Sequence, residues 1–148
     1  MLGMGFIVDF VEEEDYDTLC EWWSFWRFPS PTRDMLPDNG LGGLKVSYVD
    51  GDNKKTPCCV GFLYGTNSSM CWLEFIVSNP NVKDKEIRSN SIELLISQIC
   101  SRAESNGYKS VFASISNQNL INKYKKVGFV SSPTKTTELV LNLTTKKQ

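Results

Sequence analysis

Histidine is absent from all 148 residues. That excludes Ser-His and Cys-His nucleophilic catalysis and the common zinc sites. Acid–base work falls to Asp, Glu, Tyr, Lys, Cys, ordered water or backbone groups, and no metal is expected. No Cys-x-x-Cys occurs among the five cysteines, an odd number in which Cys58 and Cys59 are adjacent. Such a set suits reduced thiols in a cytoplasm rather than a disulfide framework. A dominant charge is also missing. The formal net charge is −1, so there is no general attraction to nucleic acid or to acidic membranes. No apolar run approaches the ~20 residues of a membrane span. No basic stretch precedes an apolar core at the N-terminus, so no secretory signal is expected. Internal repeats, linkers and low-complexity segments are absent.

What remains is an ordinary soluble composition, 41% apolar and 22% charged, expected to form one domain over residues 1–148. The chain is organised around Cys71 to Gly107. An apolar run, Cys71–Val77, reads as a buried strand and is ended by the turn Ser78-Asn79-Pro80-Asn81. A polar loop, Val82 to Asn90, follows. Ile92, Leu95, Ile96, Ile99 and Ala103 then recur at helical spacing along one face, and Gly107 stops the helix. A strand feeding a helix through a polar loop offers free N–H groups at the helix start, a natural anion site.

Elsewhere, Phe6–Val11 reads as a first strand. Glu12, Glu13, Glu14 and Asp15 open a helix to about Arg27 with Tyr16, Leu19, Cys20, Trp23 and Trp26 on its core face. Trp22 and Phe25 fall beside that stripe and suit a substrate wall or a dimer contact. Pro29 to Gly43 is a long loop with a short helical turn near Arg33–Leu36, and long loops in compact domains tend to be functional. Leu44–Val49, Cys58–Tyr64 and Cys71–Val77 form an antiparallel meander. Ser110–Ile115 is a fifth strand, parallel to the fourth by the usual crossover rule. Asn117 caps a short helix carrying Leu120, Ile121 and Tyr124, which ends at Gly128. Thr136–Leu143 is strand-prone.

Asn117-Gln118-Asn119-Leu120-Ile121-Asn122-Lys123-Tyr124-Lys125-Lys126-Val127-Gly128-Phe129 resembles the "N…Y-x-x-x-G-F" segment of the GNAT superfamily of N-acetyltransferases. By order of elements the resemblance covers nearly the whole chain; in specific residues it covers the second half. It implies an α/β fold with a mixed, mostly antiparallel sheet, a parallel pair of strands four and five, and flanking helices. It also implies that acetyl-CoA lies where those two strands part. The pantetheine would pair with the fourth strand around Phe75, Ile76 and Val77. The pyrophosphate would sit in the loop before the crossover helix, here set at Ile87, Arg88, Ser89, Asn90 and Ser91, with Asn117 nearby. The chain departs from the family there, since no glycine lies between Gly65 and Gly107. Asp84 can instead cap an earlier helix start, which would put a carboxylate where the phosphate should be.

The implied reaction moves an acetyl group to a primary amine, of a small molecule or a peptide, by direct attack. Tyr124 is the candidate acid for the leaving thiolate; its alternative is a core tyrosine. Glu74, the sole acid within the fourth strand, would have a raised pKa if buried, which suits a general base. Period two sets Glu74 opposite Leu73, Phe75 and Val77. The rival reading, which the glycine-free loop favours, is a domain of the same fold that binds partners without catalysis.

Overall fold

The computed structural model describes residues 5–131 and 134–144. Five strands form one sheet in chain order. They are β1 (Gly5–Phe10), β2 (Gly43–Val49), β3 (Lys55–Tyr64), β4 (Met70–Ser78) and β5 (Ser110–Phe112). Neighbours pair antiparallel except β4 and β5, which are parallel. The helices are α1 (Asp15–Phe25), α2 (Lys85–Ser105) and α3 (Gln118–Val127), with 3-10 turns at Arg33–Met35 and Pro37–Gly40. The mixed α/β sheet flanked by helices is the architecture the sequence led us to expect.

Each face of the sheet has its own core. On one, α2 lays Leu95, Ile96, Ile99 and Ala103 against Val46, Cys58, Cys59 and Leu73, and Tyr124 of α3 joins them. On the other, Leu19, Trp22 and Trp23 of α1 pack on Val11, Leu36, Val60, Phe62 and Val77. The spacing of the α2 apolar residues therefore does what it implied, since each buried side chain removes apolar surface from water. Adjacent Cys58 and Cys59 share the α2 face because the β2–β3 register slips between Val46 and Ser47. All five cysteines are free thiols.

Several boundaries differ from expectation. α1 begins at Asp15 rather than Glu12, because the Asp15 carboxylate accepts the Glu12 N–H at 2.8 Å and holds the preceding turn. β5 ends at Phe112 rather than Ile115. Thr136–Leu143 forms no strand, and Leu139, Val140, Leu141 and Leu143 are 88%, 95%, 78% and 86% exposed. Strand propensity measures fit to a pleated, half-buried surface, and the three-residue β5 offers that segment no ladder to join. Among the described residues, no helix is long and apolar enough to cross a membrane.

Candidate active site

The site is built on a defect in β4. Between the pairs Val60–Val77 and Phe62–Glu74, β3 contributes Gly61 alone while β4 contributes both Phe75 and Ile76. The extra residue is a bulge, and Phe75 adopts the left-handed conformation at φ +59. An aromatic cluster holds it there, with its ring 6.3 Å from that of Trp23, 6.1 Å from Phe28 and 6.2 Å from Tyr64. Gly61 makes room for the bulge. A Cβ at that position would lie 3.0 Å from Ile76 Cγ1 and 3.1 Å from Ile99 Cδ1. The bulge also reverses the alternation of the strand. Leu73 lies in the α2-side core, but Phe75 packs with Val77 against the α1-side core. Glu74 is thus opposite Leu73, as expected, but not opposite Phe75 and Val77.

β4 pairs with β5 only from Met70–Ser110 to Trp72–Phe112. Among the described residues, no strand lies beside this β4 edge beyond Trp72, where the β4–β5 ladder ends. Glu74 sits at the fork. Burial is the main cause that pushes its carboxyl up to about 7; the charge of Glu138 adds to the rise, and the Ser114 backbone partly offsets it. The charge of Glu74 in turn reaches two phenols. Tyr64 is raised to about 12, mainly by burial and then by Glu74. Tyr124 is raised further, again by burial first, then by Glu74 and by Cys100. Burial thus raises both the Glu74 carboxyl and the Tyr124 phenol, and the charge of Glu74 adds to the rise at Tyr124.

Local chemistry in α3 brings Tyr124 there. The Asn117 side chain caps the helix by accepting the Leu120 N–H at 3.0 Å. Gly128, at φ +125, ends it, and the Phe129 N–H returns to the Tyr124 carbonyl at 3.1 Å. The Phe129 ring packs edge-on to Tyr124 at 4.9 Å. Tyr124 is only 4% exposed.

The structure gathers Glu74, Tyr124 and the free edge at Phe75, Ile76 and Val77 into one region, with the Asn117 cap at the start of the helix that carries Tyr124. It does not form the expected loop at 87–91. α2 starts at Lys85, and Asp84 is its N-cap, accepting the Glu86 and Ile87 N–H groups at 3.0 and 3.1 Å. Ile87, Arg88, Ser89, Asn90 and Ser91 are all helical. Ser91 is fully buried with its hydroxyl on the Arg88 carbonyl at 2.9 Å, and the Ser89 hydroxyl donates to Glu93. The Asp-x-x spacing forms a cap earlier than the apolar periodicity begins.

The aromatic end of α1 is also rearranged. Trp22 is core, 5% exposed among Leu19, Leu36 and Phe62, and not a substrate wall. Trp26, expected in the core, is 42% exposed. The helix winds by 100° per residue, and its buried arc runs through positions 19, 22 and 23. Phe25 is exposed and meets Trp26 edge-on at 4.8 Å. Trp26 donates its indole N–H to the Ser78 carbonyl at the end of β4, at 2.9 Å. The outer rim of α1 is therefore tied to the open end of β4. A separate cavity of about 490 Å³ lies under the 29–43 loop, lined by Glu13, Arg33, Asp34, Asp38, Asn39 and Leu41, and shares no residue with the fork.

Sequence reasoning missed Ser114, Tyr64 and Glu138 as neighbours of Glu74. It also missed the bulge, for which one signal existed: a glycine inside an apolar strand, Gly61, often marks a bulge or a close approach. Among the described residues, no group of three or more His, Cys, Asp or Glu is placed to hold a metal.

By sequence, the chain matches no known protein family and no curated protein. By structure it resembles an acetyltransferase from Trypanosoma brucei at 16% identity and TM-score 0.61, over 93% of this chain and 100% of that one. It resembles glucosamine-6-phosphate N-acetyltransferase from Arabidopsis thaliana at 12% identity and TM-score 0.57, over 91% of this chain and 98% of that one. N-acetylglutamate synthase from Neisseria gonorrhoeae, solved with coenzyme A and L-arginine, aligns at 14% identity and TM-score 0.66 over 86% of this chain and 28% of that one. With its parallel β4–β5 pair and its α3 tyrosine, this chain has the fold of the GNAT superfamily of N-acetyltransferases.

Proposed function

We propose that this protein transfers an acetyl group from an acetyl-CoA-type thioester to a primary amine of a small molecule or peptide, with Glu74 as base and Tyr124 as acid. One arrangement carries the reading: half-buried Glu74 lies beside the Phe75 bulge where the β4–β5 ladder ends, in a fold whose α3 cap and stop set Tyr124 in the adjoining core. Amine acylation needs a base and an acid at one site.

The donor supplies an acyl carbon activated by sulfur. Glu74, as carboxylate, takes one proton from the incoming ammonium. The neutral amine then forms the C–N bond as the C–S bond breaks. Tyr124 gives its proton to the departing sulfur and is restored by the surplus proton on the new amide nitrogen. Glu74 releases its proton to water, so the net change is one proton lost per amide formed. Backbone groups on the open β4 edge at Phe75, Ile76 and Val77 suit an extended pantetheine arm, which adds to the sheet as a strand would. Phe25 and Trp26, exposed beside the end of β4, suit an acceptor wall. Cytoplasmic thiols and an acceptor met in solution fit the same reading.

The residues do not fit the donor's diphosphate at the start of α2. Asp84 already occupies the first amides, and Glu86 adds a second carboxylate. That observation favours a second reading, a domain of this fold that binds a partner without catalysis. Thiol release from acetyl-CoA across a panel of primary amines decides between them. Turnover that falls on the order of 10²-fold or more in Tyr124→Phe supports catalysis by this fork. Turnover unchanged in that variant returns Tyr124 to the core, and no turnover with any amine leaves the binding reading.

A further inference from the structure

We propose that this chain grips its acyl donor by the pantetheine arm alone, so that its donor class is acetyl thioesters of pantetheine, whatever is attached at the far end. The inference rests on the acetyl-transfer reading and refines its substrate.

A diphosphate needs unpaired N–H groups, a close approach to backbone and net positive charge. At the α2 start the amides are largely taken, glycine is missing and the positive charge is mostly offset. The Glu86 and Ile87 amides are bonded to the Asp84 carboxylate, and the Arg88 amide to the Asp84 carbonyl at 3.0 Å. A phosphate must displace an acceptor that is tethered one residue before the helix and costs no association entropy to keep. Between Gly65 and Gly107 every residue carries a Cβ, so the close backbone approach that glycine permits is lost. The Asp84 and Glu86 carboxylates offset two of the three cations Lys83, Lys85 and Arg88. The Arg88, Ser89 and Ser91 side chains, which could replace the amides, have other contacts. The Arg88 guanidinium lies over the Trp26 ring at 6.0 Å, the Ser89 hydroxyl donates to Glu93, and the Ser91 hydroxyl is buried on a carbonyl. Trp26 is itself tied to Ser78, so Arg88 stacks on an anchored ring. By contrast, the β4 edge past Trp72 keeps the free backbone an amide-bearing arm can use. One end of the donor has a place and the other does not.

The test uses the unaltered protein, one amine acceptor and two donors, acetyl-CoA and acetyl-pantetheine, which lacks the nucleotide and its phosphates. The expected result is kcat/KM values within about tenfold of each other, since even one charge-assisted bond to phosphate is worth about that much. The KM for acetyl-CoA should also stay flat as salt is added, as no phosphate ion pair is there to screen. A preference for acetyl-CoA greater than about tenfold overturns the inference while leaving acetyl transfer intact. If neither donor is turned over, acetyl transfer itself fails and the inference falls with it.

Discussion

The two ends of the β4–α2 unit were built from similar materials and came out opposite. At the β4 fork Glu74 is half-buried, its carboxyl pushed up to about 7 mainly by that burial, at the strand edge where the β4–β5 ladder ends. At the α2 start the Asp84 carboxylate is bonded to two amides and its carbonyl to a third. Both ends place an acid where the rest of the unit could use it. Burial separates them. A carboxyl held from water has its pKa raised, whereas one bonded to the amides of a helix end serves as a cap. Capacity for chemistry therefore follows the surroundings of an acidic residue, not its mere presence.

The contrast can be broken at several points. The largest effect is expected where the α1 aromatics divide into core and rim. Trp22→Ala should cost about 3–5 kcal/mol in thermal or urea unfolding, whereas Phe25→Ala should stay within about 0.5 kcal/mol. Equal losses would mean that Phe25 is core and α1 gives the fork no rim. Next comes the fork itself. Glu74→Gln should lower kcat/KM on the order of 10²-fold, about 2.7 kcal/mol of barrier, in amine acylation. A variant with undiminished rate would show that Glu74 is no more functional than Asp84.

The α2 end should respond in stability instead. Asp84→Ala removes the cap and should cost about 1 kcal/mol of unfolding free energy, with Asp84→Asn nearly neutral because asparagine caps as well. A loss of turnover in Asp84→Asn, at unchanged stability, would make this end part of the site after all. The smallest and sharpest effect is in pH. Glu74 is raised from near 4.5 to about 7, so the folded protein holds a proton there that the unfolded chain has lost. Its contribution to stability is full below about 4.5 and is lost as pH rises toward 7. Glu74→Gln should therefore gain melting temperature relative to the parent as pH rises through that window. The parent's kcat/KM should climb over a range centred near 7, as the base ionises. A melting difference that does not change with pH would sink the raised pKa.

Much of this was legible before any coordinates. The α2 stripe, the α3 cap and stop and the parallel β4–β5 crossover all follow from periodicity, turn chemistry and the family resemblance. Asp84 as a cap was readable too, as an alternative to the loop. Three things were not. Phe75 carries no sign of a left-handed backbone, because the aromatic cluster that enforces it comes from three other elements. Trp22 and Trp26 exchanged places because the buried arc of α1 is set by how the helix lies on β4. The strand forecast at Thr136–Leu143 failed because a strand needs a partner, which local propensity does not supply.

The sequence by itself determined the elements, their caps and the absence of histidine-based chemistry, since these depend on interactions within a few residues. Only the tertiary structure decided how each acid is solvated. The Glu74 carboxyl is pushed up to about 7 by what is packed around it, and Asp84 is held as a cap by the helix amides it faces. Solvent exclusion is a property of the assembled fold, and no stretch of chain carries it alone.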